Sequence, residues 1–377
     1  MRLFSGAERM PSERASFADR RKRAASKLRE QDFGALLVSP GADLQYLAGY
    51  QLFTSERLTC LVLDRDGKAT LVCPAFEAPR AAVSAPDIER MTWGETDDPY
   101  AIVASLVPPS GTVGVADQMW AGFFLRFQDA LPRRGFRVAS LITRSLRMRK
   151  DAAEIEALRA VSESADRAYA RILERPFAGR TEREIGADLA EMLRAEGHDE
   201  VGFTIVGSGA NGASPHHEAG DRRIAGGDTV VLDFGGAMRG YRSDITRTVH
   251  VGKTAGREEQ KVHDVVRRAQ EAGYAAARKD ASAESVDAAA RRVIEEAGFG
   301  EFFIHRTGHG IGLDGHEHPY LVRGNRERLE PGMAFSIEPG IYLPGRFGVR
   351  IEDVAVIDAD GSAQPLNLAD HAFATVA

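Results

Sequence analysis

The chain has 377 residues, about twice a common domain, so two domains are expected. Its 43% hydrophobic and 28% charged content describes an ordinary soluble globular protein with ample core. A formal net charge of −6 without a long basic stripe argues against nucleic-acid binding, and no run is long enough for a membrane span. The opening "MRLFSGAERMPSERASF" lacks an apolar segment and a cleavage-like tail, so no signal peptide is expected. The two cysteines, Cys60 and Cys73, lie in apolar strand-like runs, which fits two buried thiols in a reducing, cytoplasmic compartment.

The arginine-rich stretch "RASFADRRKRAASKLREQDF" reads as a helix with a solvated face. A strand, a Gly-Pro turn and a short helix follow in "GALLVSPGADLQYLAGY". "RLTCLVLDRDGKATLVC" reads as a hairpin turning at Asp66 and Gly67. Two more strands, "TVGVADQ" and "FRVASLI", enclose a helical piece near Trp120 to Ala130. Residues 1–148 therefore form a small α/β domain with no concentrated chemistry.

The second domain, residues 149–377, opens on "RKDAAEIEALRAVSESADRAYARIL". Asp151 and Glu154 have capping-box spacing, and Ile155, Leu158, Ala165, Tyr169 and Ile172 keep a helical period. Thr181 and Glu184 repeat the box at the next helix. A strand pair follows, "TVVLDFGGAMRGYRSDITRTVHV". Two further helical runs lead to "FFIHRTGHGIGLDGHEHP" and a second apolar pair, "AFSIEPGIYLPGRFGVRIEDVAVI". Helix, helix, hairpin with two acids thus occurs twice, which suggests a structural duplication.

Four carboxylates, Asp233, Asp244, Glu338 and Glu352, interrupt strand-like runs. Such groups would repel one another and raise each other's pKa unless cations meet them. Two divalent ions balance four carboxylates, and paired metals about 3.5–4 Å apart are the arrangement of two-metal hydrolases. With His309 added the set is hard oxygen plus one imidazole, which suits Mn²⁺, with Co²⁺ or Zn²⁺ as alternatives. Glycines beside His309 let the backbone come close. His305, His316, His216 and His217 fall near these positions.

These residues resemble a known family: the pita-bread metallopeptidases, comprising methionine aminopeptidase, aminopeptidase P and prolidase, with creatinase as a metal-free relative. The family's Asp, Asp, His, Glu, Glu ligand set falls on Asp233, Asp244, His309, Glu338 and Glu352, over a region from about Asp151 to the end. The first section resembles the creatinase-type N-domain, which points to the proline-directed branch. The resemblance implies a creatinase-like α/β domain followed by an α+β pita-bread domain with pseudo-twofold helix-helix-hairpin halves. It also implies two bound divalent metals, a homodimer, and a small peptide substrate with proline in second position.

The implied reaction is hydrolysis of the bond between an N-terminal residue and proline. Glu338 would take the water's proton and pass it to the leaving nitrogen, while a protonated His316 would stabilise the oxyanion. His216 would hold the scissile carbonyl or the proline, and Arg350, with His305, would support the ligands. Many prolidases carry an arginine after the "HExP" segment, where this chain has Tyr320. Arg57, Arg323 and Arg346 are substitutes for a carboxylate-binding cation, and an Arg57 role would make Arg57→Ala cost dipeptide turnover more than tripeptide turnover. An Xaa-Pro dipeptidase is the leading reading. The alternatives are an Xaa-Pro aminopeptidase for longer peptides and a non-peptidase reaction on the same scaffold.

Overall fold

The computed structural model describes residues 11–377, with side chains from residue 16 onward. It divides into two compact units, one running to Arg147 and the other from Met148 to Ala377.

The first unit opens with a helix over Pro11–Glu30. Its sheet contains β1 (Phe33–Val38), β2 (Cys60–Asp64), β3 (Ala69–Pro74), β4 (Glu89–Trp93), β5 (Thr112–Val115) and β6 (Phe136–Val138). The spatial order is β4-β3-β2-β1-β5-β6, mixed parallel and antiparallel. Every residue of β1 is buried, as a strand covered on both faces requires. The hairpin turns where expected: Gly67 adopts φ +90°, and the Asp64 carboxylate accepts from the Asp66 and Lys68 amides at 2.9 Å each. Cys60 and Cys73 are buried and unpaired.

The second unit begins with helices Ala152–Ile172 and Glu182–Ala195, each closed at its start by a capping box, Asp151 with Glu154 and Thr181 with Glu184. They lie on a sheet of β7 (Glu200–Ser208), β8 (Thr229–Met238), β9 (Tyr241–Arg242), β10 (Ile245–Val251) and β18 (Thr375–Val376). Alternation along β8 explains its buried acid. Val230, Leu232 and Phe234 join Tyr169, Leu189 and Leu193 in the helix-side core, which leaves Asp233 on the opposite face.

The second half repeats the plan. Helices Arg257–Ala276 and Ala283–Glu296 precede β11 (Gly308–Gly310), β12 (Glu317–Leu321), β13 (Ala334–Ile337), β14 (Gly340–Leu343), β15 (Phe347–Arg350), β16 (Asp353–Ile357) and β17 (Ala363–Pro365). Here the long strand pair is broken in two. β13 pairs with β16 as far as Ile337 opposite Asp353, and β14 with β15 from Gly340 opposite Arg350. Glu338 and Glu352 occupy the break, released from regular ladder positions.

Candidate metal centre

The break in the second hairpin meets the polar face of the first sheet. An isolated bridge joins Thr246 of β10 to Glu352, and Thr246 lies directly opposite Asp233 in the β8–β10 register. Two groupings of possible ligand atoms result, His309 with Glu338 and Glu352, and Asp233 with Asp244 and Glu352, the atoms of each within 4.8 Å of one another. Glu352 belongs to both. A third grouping joins Asp244, His309 and His316. His309 Nε2 stands 3.3 Å from Glu338 Oε1 and 3.7 Å from Asp244 Oδ2.

The electrostatics show what this arrangement lacks. Burial, then the neighbouring acids Asp233 and Glu338, holds the Asp244 carboxyl well above the usual carboxylate range. Glu352 is raised by burial and by Asp244, and Glu338 is pushed up to about 7 mainly by burial. Burial pushes His309 down to about 3, with His316 adding to the effect. The ring is therefore neutral. Its Nδ1 donates to the Gly310 carbonyl at 3.1 Å, so the Nε2 lone pair faces the carboxylates. Asp233 Oδ1 and Glu352 Oε1 are buried without a hydrogen-bond partner among the described residues. Bare lone pairs and orphaned anionic oxygens converging on one space are what a divalent pair requires, and the residues fit that group.

Glycine makes the approach possible. A Cβ on Gly308 would fall 1.9 Å from the Ser336 carbonyl oxygen, and one on Gly310 would fall 2.2 Å from that of His318. Any side chain at either position would push β11 off its neighbours and carry His309 away.

The supporting shell is dense. Arg350 pairs with Asp233 Oδ2. Its Nε donates to Thr246 Oγ1 at 3.1 Å, and that hydroxyl donates to Glu352 Oε2 at 2.6 Å. Arg350 Nη1 also donates to the Tyr342 hydroxyl at 2.8 Å. His305 Nδ1 donates to the Arg306 carbonyl at 2.7 Å, and burial pushes this ring down to about 4. Its Nε2 therefore accepts from Tyr342, at 2.8 Å. The buried Arg247 donates to the carbonyls of Thr246 and Glu352 at 2.9 and 2.7 Å and pairs with Asp353 at 2.6 Å, fixing the backbone behind the ligands.

His316 lies against His309, ring centroids 3.8 Å apart, and its Nδ1 accepts from Arg306 Nη2 at 3.1 Å. Burial and the Arg306 charge lower its pKa, and with Nδ1 accepting from Arg306 the ring's proton lies on Nε2. His216 borders a cavity of about 480 Å³ that Phe203, Ile205 and His217 also line. Tyr320 is opposite His309 in the β11–β12 register and serves as a platform for Arg306. Arg57 lies in the first unit, where it meets Glu56 and Glu95 and stacks on Phe76. Arg346 is exposed and paired with Glu258.

The model of metallopeptidase family M24 matches residues 156–359, more than half of the chain. The chain belongs to metallopeptidase family M24. The model of the creatinase/prolidase N-terminal domain matches residues 20–149. A probable dipeptidase PepE of Mycobacterium tuberculosis is 45% identical, over 93% of this chain and 94% of that protein. An Xaa-Pro dipeptidase of Lactobacillus helveticus is 35% identical, over 86% of this chain and 90% of that protein. Among solved structures, a recombinant prolidase from Thermococcus sibiricus superposes with a TM-score of 0.91 at 38% identity, covering 96% of this chain and 99% of that one. Membership of a metallopeptidase family makes the chain a hydrolase and implies divalent metal ions.

Within this M24 site, sequence reasoning passed over Thr246, Tyr342 and Arg306. Thr246 had a signal, since it stands two residues after Asp244 and so shares its face of an extended chain. Arg306 lay inside the histidine-rich segment. Tyr342 had none.

Proposed function

We propose that the chain is a dinuclear-metal Xaa-Pro dipeptidase, hydrolysing the bond between an N-terminal residue and proline. The observation that carries this is the pair of ligand groupings sharing Glu352, with orphaned oxygens on Asp233 and Glu352. The names borne by the relatives and the solved prolidases support the substrate class.

Asp233, Asp244, His309, Glu338 and Glu352 would hold two divalent cations, for which Mn²⁺ is the assignment that suits oxygen ligands with one imidazole. Two divalent cations held there would neutralise the acids and would supply an acidified water and a polarised scissile carbonyl. Glu338 would accept a proton from the attacking water and return one to the leaving imino nitrogen. His316 donates from Nε2 to the oxygen that gains charge. His216 orients the proline side of the substrate. Arg350 holds Asp233 and, through Thr246, Glu352, while Tyr342 and His305 fix the guanidinium.

The proposal includes a homodimer and a cytoplasmic location. The two unpaired buried thiols fit a reducing compartment, and light scattering would test the dimer. The deciding assay compares alanyl-proline with alanyl-prolyl-alanine, before and after chelation and after Mn²⁺ is returned. We expect metal-dependent cleavage with the dipeptide preferred. Preference for the tripeptide favours an aminopeptidase, and no cleavage of any Xaa-Pro peptide overturns both.

A further inference from the structure

Four of the five candidate ligands are held by a hydrogen bond at the side chain itself. Arg350 holds Asp233, the Thr246 hydroxyl holds Glu352, the Gly310 carbonyl holds His309, and the Ser336 hydroxyl donates to Glu338 at 3.2 Å. Asp244 has no such side-chain donor among the described residues. Its main chain is also outside the regular pairing. The β8–β10 ladder begins only at Ile245, opposite Phe234, and β9 ends at Arg242, so Ser243 and Asp244 lie between two ladders. What fixes them is a chain of hydrogen bonds behind Ser243. His198, buried on the turn between helix Glu182–Ala195 and β7, places Nε2 2.8 Å from Ser243 Oγ and Nδ1 3.1 Å from Ser164 Oγ. The Ser164 hydroxyl donates its proton to the Glu196 carbonyl at 2.9 Å, so toward His198 it accepts, and Nδ1 carries the ring proton. Burial pushes the ring down to about 4, which keeps it neutral and leaves Nε2 to accept from the Ser243 hydroxyl. The Ser243 oxygen in turn accepts from the Gly236 amide at 3.1 Å, while the Ser243 amide donates to the Gly236 carbonyl at 2.9 Å. Each donor thus has one acceptor, and the direction of every bond is set. Two glycines make room: a Cβ on Gly235 would fall 2.1 Å from the Ser243 carbonyl oxygen, and one on Gly236 would fall 3.0 Å from the His198 ring.

We propose that His198 is a positioning residue for Asp244, acting through Ser243, and that it sets how tightly the centre takes up divalent ions. This rests on the reading of the five residues as metal ligands and names a group, outside that set, on which their geometry depends. An aspartate carboxylate is one methylene from its Cα, so a displaced Ser243 displaces the neighbouring carboxylate almost as far, and a ligand must be held to within about 0.5 Å. Asp244 takes part in two of the three ligand groupings, with Asp233 and Glu352 and with His309 and His316, so its misplacement is felt by both. Ser164 lies on the helix Ala152–Ile172. The bonded chain therefore carries the position of that helix through the imidazole to the residue beside the ligand.

Two amides separate the two functions of the ring. In His198→Gln the side-chain oxygen takes the place of Nε2 and accepts from Ser243, whereas in His198→Asn the shorter amide reaches only toward Ser164. Both leave a gap beside the helices, so a histidine that served packing alone would make them alike. Ser243→Ala keeps the ring and removes one hydroxyl, and it reports on the chain even where a ring variant does not fold. The readouts are Mn²⁺ titration calorimetry on chelator-stripped protein and scanning calorimetry of the same samples. We expect Mn²⁺ affinity to fall about 10- to 100-fold in His198→Asn and in Ser243→Ala, and to stay within about threefold of wild type in His198→Gln. Combining His198→Asn with Ser243→Ala should lose no more than either alone, because both break the same bond. Wild-type affinity in Ser243→Ala, equal losses in His198→Asn and His198→Gln, or losses that add in full in the double variant would each overturn the positioning role. A wild type that binds no Mn²⁺ overturns the ligand reading itself, and this proposal with it.

Discussion

Metal loading should depend on pH in a way the ligand cluster determines. Glu338 has its carboxyl raised from the ordinary 4.5 to about 7 in the metal-free fold, and it must lose that proton to ligate. Below about pH 7 every unit of acidification therefore weakens Mn²⁺ binding about tenfold, or about 1.4 kcal/mol, through Glu338 alone. Between about pH 7 and pH 5 the loss is about 2.7 kcal/mol. Asp244 and Glu352, whose carboxyls burial holds well above the usual carboxylate range, act in the same direction. His309 does not compete, because it is already neutral above about pH 3. Stability carries the corresponding sign. A carboxyl that keeps its proton when folded but loses it when unfolded makes metal-free stability fall as pH rises from about 4.5 through about 7. His309, depressed from 6.5 to about 3, has the opposite effect: its contribution grows from about pH 3 to pH 6.5, above which only the acids remain. The assay is calorimetric Mn²⁺ titration across this range, with scanning calorimetry of chelated and loaded protein. In Glu338→Gln the slope of log affinity against pH should drop by about one proton. Affinity independent of pH, or an unchanged slope in Glu338→Gln, would refute the reasoning.

Three further expectations test the surrounding structure. Thr246→Val removes the hydroxyl linking Arg350 to Glu352 and should weaken Mn²⁺ binding about 10- to 100-fold with little change in melting temperature, read by calorimetry. Arg247→Met strands the buried Asp353 and should cost about 3–5 kcal/mol of stability, read by denaturant unfolding. Glu182 is fully buried and accepts from Ser208, Asn211, His217 and Gly220, so it fastens both ends of the segment carrying His216. Glu182→Gln should speed amide exchange across residues 208–220 and raise KM more than it lowers kcat, while Mn²⁺ affinity stays unchanged.

Much of this was readable from the chain because it rests on local rules. The capping boxes at Asp151 and Thr181, the turn at Gly67 and the doubled helix-helix-hairpin pattern involve residues within a few positions of one another. The ligands stood out because carboxylates among β-branched residues break a period-two pattern. The division of the second hairpin into β13–β16 and β14–β15 was not readable, since a broken ladder and a continuous one share the same apolar alternation. Nor was the state of His316. Its environment depends on Arg306, and their contact requires β11, β12 and the preceding segment to be folded together. The Tyr342 link between Arg350 and His305 likewise joins residues 8 and 37 positions apart, with no spacing rule to reveal it.

The bridge from Thr246 to Glu352 has one more consequence. Each duplicated half brings only part of the donor set, and the Glu352 carboxylate common to both groupings arrives from the later half to be tied down by the earlier one. An incompletely synthesised or misdocked catalytic domain would therefore have weak affinity for divalent ions, however well its individual helices form. Capture of the ion would report that the two repeats have met in the correct alignment, and loss of the ion would loosen the seam between them first.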